Sequence, residues 1–65
     1  MIIIENEQGD KYLARDHWTK NPDDAKAFYD ARDAREHMAL YQIKGRPVAY
    51  DPDSKQISMD IRRHG

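Results

Sequence analysis

Besides its carboxylates, this sequence offers few side chains of the kinds that serve as zinc-type ligands or hydroxyl nucleophiles: His17, His37 and His64, and the hydroxyls of Thr19, Ser54 and Ser58, with no cysteine. The histidines show no HxxxH or Cys/His spacing, so a zinc-type ligand set has no support. A Ser or Thr nucleophile needs a base held beside it. Each hydroxyl has a plainer role: Ser54 in a turn, Ser58 on the outer face of a strand, Thr19 on the approach to a helix cap. Asp33 and His37 stand one helical turn apart, the spacing of a carboxylate–imidazole pair and equally of an ordinary surface ion pair. Asp23 and Asp24 imitate a paired-carboxylate site, yet the positive end of a helix accounts for carboxylates in its first turn without any chemistry. The expectation is a protein that is not an enzyme, with no catalytic residue, no metal and no cofactor.

Binding chemistry has more to draw on. The acidic residues Asp23, Asp24, Asp30, Asp33 and Glu36 gather on the expected helical segment, with Tyr29 as an exposed aromatic anchor, and together make the candidate protein-binding surface. Carboxylates on such a face can take positions that phosphates would occupy in a partner's nucleic-acid groove. The alternative is nucleic-acid binding through Arg46, Lys55, Arg62 and Arg63 around Tyr50, cations near an aromatic ring. Arg62-Arg63-His64-Gly65 also reads as a solvated tail. Trp18 is expected to plug the space between the first hairpin and the helices, because a small core needs one large aromatic.

These residues need elements to hold them. Met1 to Glu5 reads as a strand, Asn6 to Asp10 as a turn and Lys11 to Arg15 as a second strand, a first hairpin. Ile2 and Ile4 share a face, with Leu13 joining them or, in the other register, Tyr12 and Ala14 turned inward. Asn21-Pro22-Asp23-Asp24 carries an N-cap, a first-turn proline and two carboxylates, which start a helix at Pro22. Ala25 and Phe28 form its buried stripe. Asp30 caps a second helix to about Gln42 with Ala31, Ala34, Met38 and Tyr41 inward; one continuous helix from Pro22 to Ile43 is the rival parse. Gly45 supplies the C-terminal stop, and the helix cannot pass Pro47. Val48 and Tyr50, then Ile57, Met59 and Ile61, alternate around the turn Asp51 to Lys55, a second hairpin. The expected fold is α+β: a small four-stranded antiparallel sheet of two hairpins with one or two helices on one face, in the order ββααββ.

Sixty-five residues leave room for one domain, 1–65. A hydrophobic share of 38%, a charged share of 35% and a mean hydropathy of -1.08 limit it to a thin core. No apolar run suits a signal peptide or a membrane span, and cysteine is absent, which together point to the cytoplasm. Eleven basic against twelve acidic residues give a net charge of -1, too little attraction for a sequence-independent nucleic-acid coat. A thin core is also consistent with either a monomer or a homodimer paired through an edge strand.

The run Gly9-Asp10-Lys11-Tyr12-Leu13, then Trp18-Thr19-Lys20-Asn21-Pro22, Ala25-Lys26-Ala27-Phe28 and Ala34 resembles a pattern in small phage- and prophage-encoded accessory proteins. The resemblance spans about residues 9–40. It implies a compact protein that covers the surface of a host protein, as inhibitors of bacterial defence such as anti-CRISPR proteins do, and it transfers no functional residue.

Overall fold

Ile2-Ile3-Ile4 is the most β-prone run in the chain, and in the computed structural model, which describes residues 1–58, it forms the middle of the sheet. The strands are β1 (Ile2–Asn6), β2 (Tyr12–Leu13), β3 (Trp18–Thr19), β4 (Gly45–Asp51) and β5 (Gln56–Ser58), with one 3-10 turn (Pro22–Asp24) and one helix, α1 (Ala31–Tyr41). The sheet is antiparallel throughout and runs β3-β2-β1-β4-β5. The fold is α+β, as expected, but with five strands and a single α-helix among the described residues in place of four strands and two helices. Both expected hairpins form: Glu5 pairs with Tyr12, and Tyr50 with Ile57. Met59 and Ile61, expected to extend the last strand, lie outside the described residues.

Asn6 holds the first hairpin shut. Its Oδ1 accepts from the backbone N–H groups of Gly9, Asp10 and Lys11 at 2.9, 3.0 and 3.1 Å, and Gly9 takes the left-handed conformation (φ 78°) that the turn requires. The second hairpin turns through Lys55 at φ 61°, with Lys55 N–H donating to the Asp51 carbonyl at 2.7 Å.

The sheet is covered on both faces, and this is the main departure from the expected layout. Successive side chains of a strand point to opposite sides. Ile3, Val48 and Tyr50 form one buried cluster, joined by Tyr12, Ala25 and Ile57; Ile4, Leu13 and Ala34 form the other, joined by Ile2, Phe28, Met38 and Ile43. Leu13 therefore does join Ile2 and Ile4, while Tyr12 is also inward, on the opposite face. The two readings of that register were not exclusive because both faces are dry.

Between Asn21 and Asp30 the chain does something other than the expected helix. Asn21 caps as anticipated, its side chain accepting from Asp23 N–H at 3.0 Å, but the helical turn ends at Asp24 and Ala25 is extended. Lys26 N–H then donates to the Leu13 carbonyl at 2.9 Å and Phe28 N–H to the Ile2 carbonyl at 2.7 Å. This segment takes over the edge of β1 that the short strand β2 leaves unpaired, satisfying backbone groups that would otherwise be orphaned. Ala25 and Phe28 thus pack on opposite faces of the sheet instead of sharing a helical stripe.

The expected cap at Asp30 forms, its Oδ1 accepting from Asp33 N–H at 2.9 Å as the N-cap of α1, but no α-helix precedes it and the continuous helix from Pro22 does not form. The C-cap is Gln42 in the left-handed region (φ 55°), not Gly45. Gly45 instead opens β4 opposite Asn6. Pro47 is tolerated inside β4 for a geometric reason. Tyr50 N–H points at β1, bonding the Met1 carbonyl at 2.7 Å; alternate residues point the other way, Pro47 among them, beyond the last described β4–β5 pair at Ala49–Ser58.

Candidate functional site

The expected acidic surface divides into two parts on opposite sides of the sheet. Asp30, Asp33 and Glu36 belong to α1, which packs through Ala34 on the Ile4 cluster. Asp30 is committed to the cap. Glu36 meets Arg32 at 3.5 Å, both well exposed, a contact of small value. Tyr29, immediately before the cap, is 90% exposed, and Leu40 is 73% exposed. Helical spacing places Asp33, Glu36 and Leu40 on one outward face. Leu40 was legible in principle: it falls outside the Ala31, Ala34, Met38 stripe, so a helix there had to present it to solvent.

Asp23 lies on the other side of the sheet and does structural work. The Tyr50 hydroxyl, on a side chain only 1% exposed, donates to Asp23 Oδ1 at 2.6 Å, and Lys55 Nζ donates to Asp23 Oδ2. The three residues latch the 3-10 turn to the β4–β5 hairpin. Asp24, next to it, is exposed and shares no surface with α1 through any contact described.

The latch has a defined pH window. The hydrogen bonds from Lys55 and then Tyr50 hold the Asp23 carboxyl below its ordinary 3.8, so its contribution is complete above that value and is lost as pH falls through the lowered one. The bond to Asp23 raises Lys55 above 10.5 and Tyr50 above 10.0, so those contributions are complete below these values and are lost as pH rises through the raised ones. Asp23→Asn should therefore melt below the parent protein at neutral pH, with the difference closing in acid below 3.8 and in alkali above 10.5. Thermal melts of the pair across pH check this; a constant difference would show that the charge of Asp23 is irrelevant.

The cations expected to face nucleic acid are engaged inside the protein where the structure describes them. Arg46 Nη1 meets Glu5 Oε1 at 2.7 Å and its Nη2 donates to the Glu7 carbonyl at 3.1 Å. Glu5 and Arg46 are direct cross-strand partners, and Glu5 is only 7% exposed, so moving Arg46 to a phosphate would leave a buried carboxylate without its counter-ion. Lys55 is held by Asp23. Arg62 and Arg63 lie outside the described residues. Sequence reasoning missed the role of Glu5, because the pairing appears only once the β1–β4 register is known.

Trp18 is not the expected plug. It stands on the edge strand β3 opposite Leu13 and is 37% exposed. The plug is Tyr50, fully enclosed against Ile3 and Val48. Tyr41, expected inward, is 61% exposed and meets the His37 ring at a tilt, 4.7 Å between centroids, and the His37 ring lies 5.1 Å from that of Phe28. The expected Asp33–His37 ion pair is not among the contacts of the described residues; His37 meets rings instead.

Among the described residues no three His, Cys, Asp or Glu side chains converge as a metal ion would need, and no helix is long and apolar enough to cross a membrane. Compared with protein families, curated proteins and solved structures, the chain matches none.

Proposed function

We propose that this chain is a non-catalytic binding module of the kind that phages and prophages carry, which docks the outer face of α1 on a host protein and so blocks or adapts it. An inhibitor of a bacterial defence system, acting as anti-CRISPR proteins do, is the form of that activity we favour. The observation that carries the reading is that two large side chains are left in solvent, Tyr29 just before the cap of α1 and Leu40 in its last turn, with Asp33 and Glu36 on the helix face that presents Leu40. Aromatic and aliphatic anchors inside a charged rim are the usual composition of a contact surface. The complementary partner offers apolar pockets bordered by Lys or Arg. The resemblance to small mobile-element proteins and the lack of a catalytic constellation in the sequence support the same reading.

Affinity capture of the tagged protein from a bacterial lysate, with and without nuclease, tests it. The parent protein should retain one stoichiometric partner after nuclease treatment, and Asp33→Lys combined with Leu40→Ser should reduce that partner's affinity by about tenfold or more. Asp30 is left untouched, because its replacement would remove the helix cap and confuse folding with binding. Equal recovery by parent and variant sinks the assignment of this face. Recovery of nucleic acid alone would instead favour a nucleic-acid-binding regulator.

A further inference from the structure

We propose that two adjoining clefts beneath the C-terminal end of α1 form a second binding site, independent of the helix's outer face, for an acidic peptide segment that carries two apolar anchor side chains. Leu13 and Ile43 line both clefts, giving them a shared aliphatic floor. The first, about 470 Å³, is walled by Trp18, and the second, about 440 Å³, by Tyr41 and His37. Two apolar side chains of one peptide would each find an aliphatic base and an aromatic wall, the setting in which buried anchors contribute most to affinity.

The charge around the clefts selects the peptide's sign. Lys11 and Lys44 line the first and Arg15 and Lys26 the second, and none of the four is in an ion pair among the described residues. Against them stand Glu7 in the first cleft and Asp16 in the second, and Asp16 is already engaged by His17 at 2.8 Å. A chain of formal charge -1 thus keeps a locally positive surface here, while its free carboxylates on α1 face elsewhere. Carboxylates flanking the anchors would meet four cations outside any ion pair among the described residues, of which Lys26 lies over the Phe28 ring at 5.4 Å from its centroid.

The rings distinguish a peptide from a nucleic-acid strand. Successive bases need successive exposed ring faces to stack on. Here the two rings that wall the second cleft, His37 and Tyr41, are inclined at 48°, so they present no parallel platform.

Trp18 is the one tryptophan of the chain, so its fluorescence reports on the first cleft directly. The probe is a short synthetic peptide of Asp and Glu residues with two leucines, titrated into the full chain beside a control with both leucines replaced by serine and beside an oligothymidine. The peptide should give a saturable fluorescence change that weakens with salt. The serine control should bind at least about tenfold more weakly, and Arg15→Glu combined with Lys44→Glu should weaken the parent peptide by about tenfold. Both substituted residues are exposed, and a matching melt confirms that the variant is folded. Asp33→Lys with Leu40→Ser should bind the peptide as the parent does, so this site and the outer face of α1 stand or fall separately. No saturable change, equal binding of the control, unchanged affinity in the folded double variant, or tighter binding of the oligothymidine would each overturn the proposal.

Discussion

Gly45→Ala should cost the protein about 3 kcal/mol and lower its melting temperature by roughly 12 °C or more. A Cβ at this position would stand 2.3 Å from the Glu5 carbonyl oxygen, 3.2 Å from the carbon of that carbonyl and 3.3 Å from Ile4 Cγ2. The first two atoms are backbone of the central strand, so no side-chain rotation relieves the clash, and β1 and β4 must separate where Asn6 faces Gly45. Overpacking costs about 1–3 kcal/mol where side chains can adjust and more where backbone has to move. At roughly 0.05–0.15 kcal/mol per residue, a chain of this length has only ~3–10 kcal/mol of total stability to lose. Gly45 is not among the residues with positive φ, so steric approach and not conformational preference is the cause. Serine should be as damaging as alanine. Urea unfolding followed by circular dichroism measures the loss, and a change under about 0.5 kcal/mol would mean that the two strands are not so close.

Ile4→Ala is expected to be comparably severe, about 3 kcal/mol within the 2–5 kcal/mol typical of emptied core sites. Ile4 is fully buried and is the residue through which β1 meets both Leu13 and Ala34, so the cavity opens at the junction of sheet and helix. Ile4→Val should cost only about 1 kcal/mol, which separates lost volume from general disruption. Ile3→Ala gives the informative comparison. Ile3 points the other way and is equally enclosed, against Val48 and Tyr50, so its loss should match that of Ile4. On a sheet with one wet face, one of the two substitutions would be nearly silent, and such an asymmetry in the measured unfolding energies would contradict a sheet covered on both sides.

Local signals were legible where one residue type meets one backbone need. Asn21 and Asp30 cap as their sequence context requires, the Asn6–Asp10 and Asp51–Lys55 turns fall where Gly, Asn, Pro and Asp cluster, and the α+β class follows from the apolar periodicity. What escaped was decided by partners far away in the chain. The Asn21 cap begins a helix that cannot continue, because Lys26 and Phe28 bond the edges of β2 and β1 instead. β3, with two residues, is too short to show any alternation, so in the sequence only the size of Trp18 points it to the core. The same holds for the candidate surface. Asp23 and Asp33 look alike in the sequence, and only the position of Tyr50 and Lys55 separates a latch from a free carboxylate.

The pairing of β1 with β4 has a consequence for how the chain is made. Ile2 and its partner Ala49 are separated by 46 residues of chain, so Ala49 is synthesised well after Ile2. The hairpin through Asn6 and the helix α1 can form as they emerge, since their contacts are local. The three isoleucines must wait, apolar and half-unpaired, until Gly45–Asp51 has been synthesised. Closing that long loop is the entropically expensive step, so β1 stays without its main partner until β4 has been made, and the hazard it carries in the cell is the nascent β1 meeting another chain before its own β4 exists.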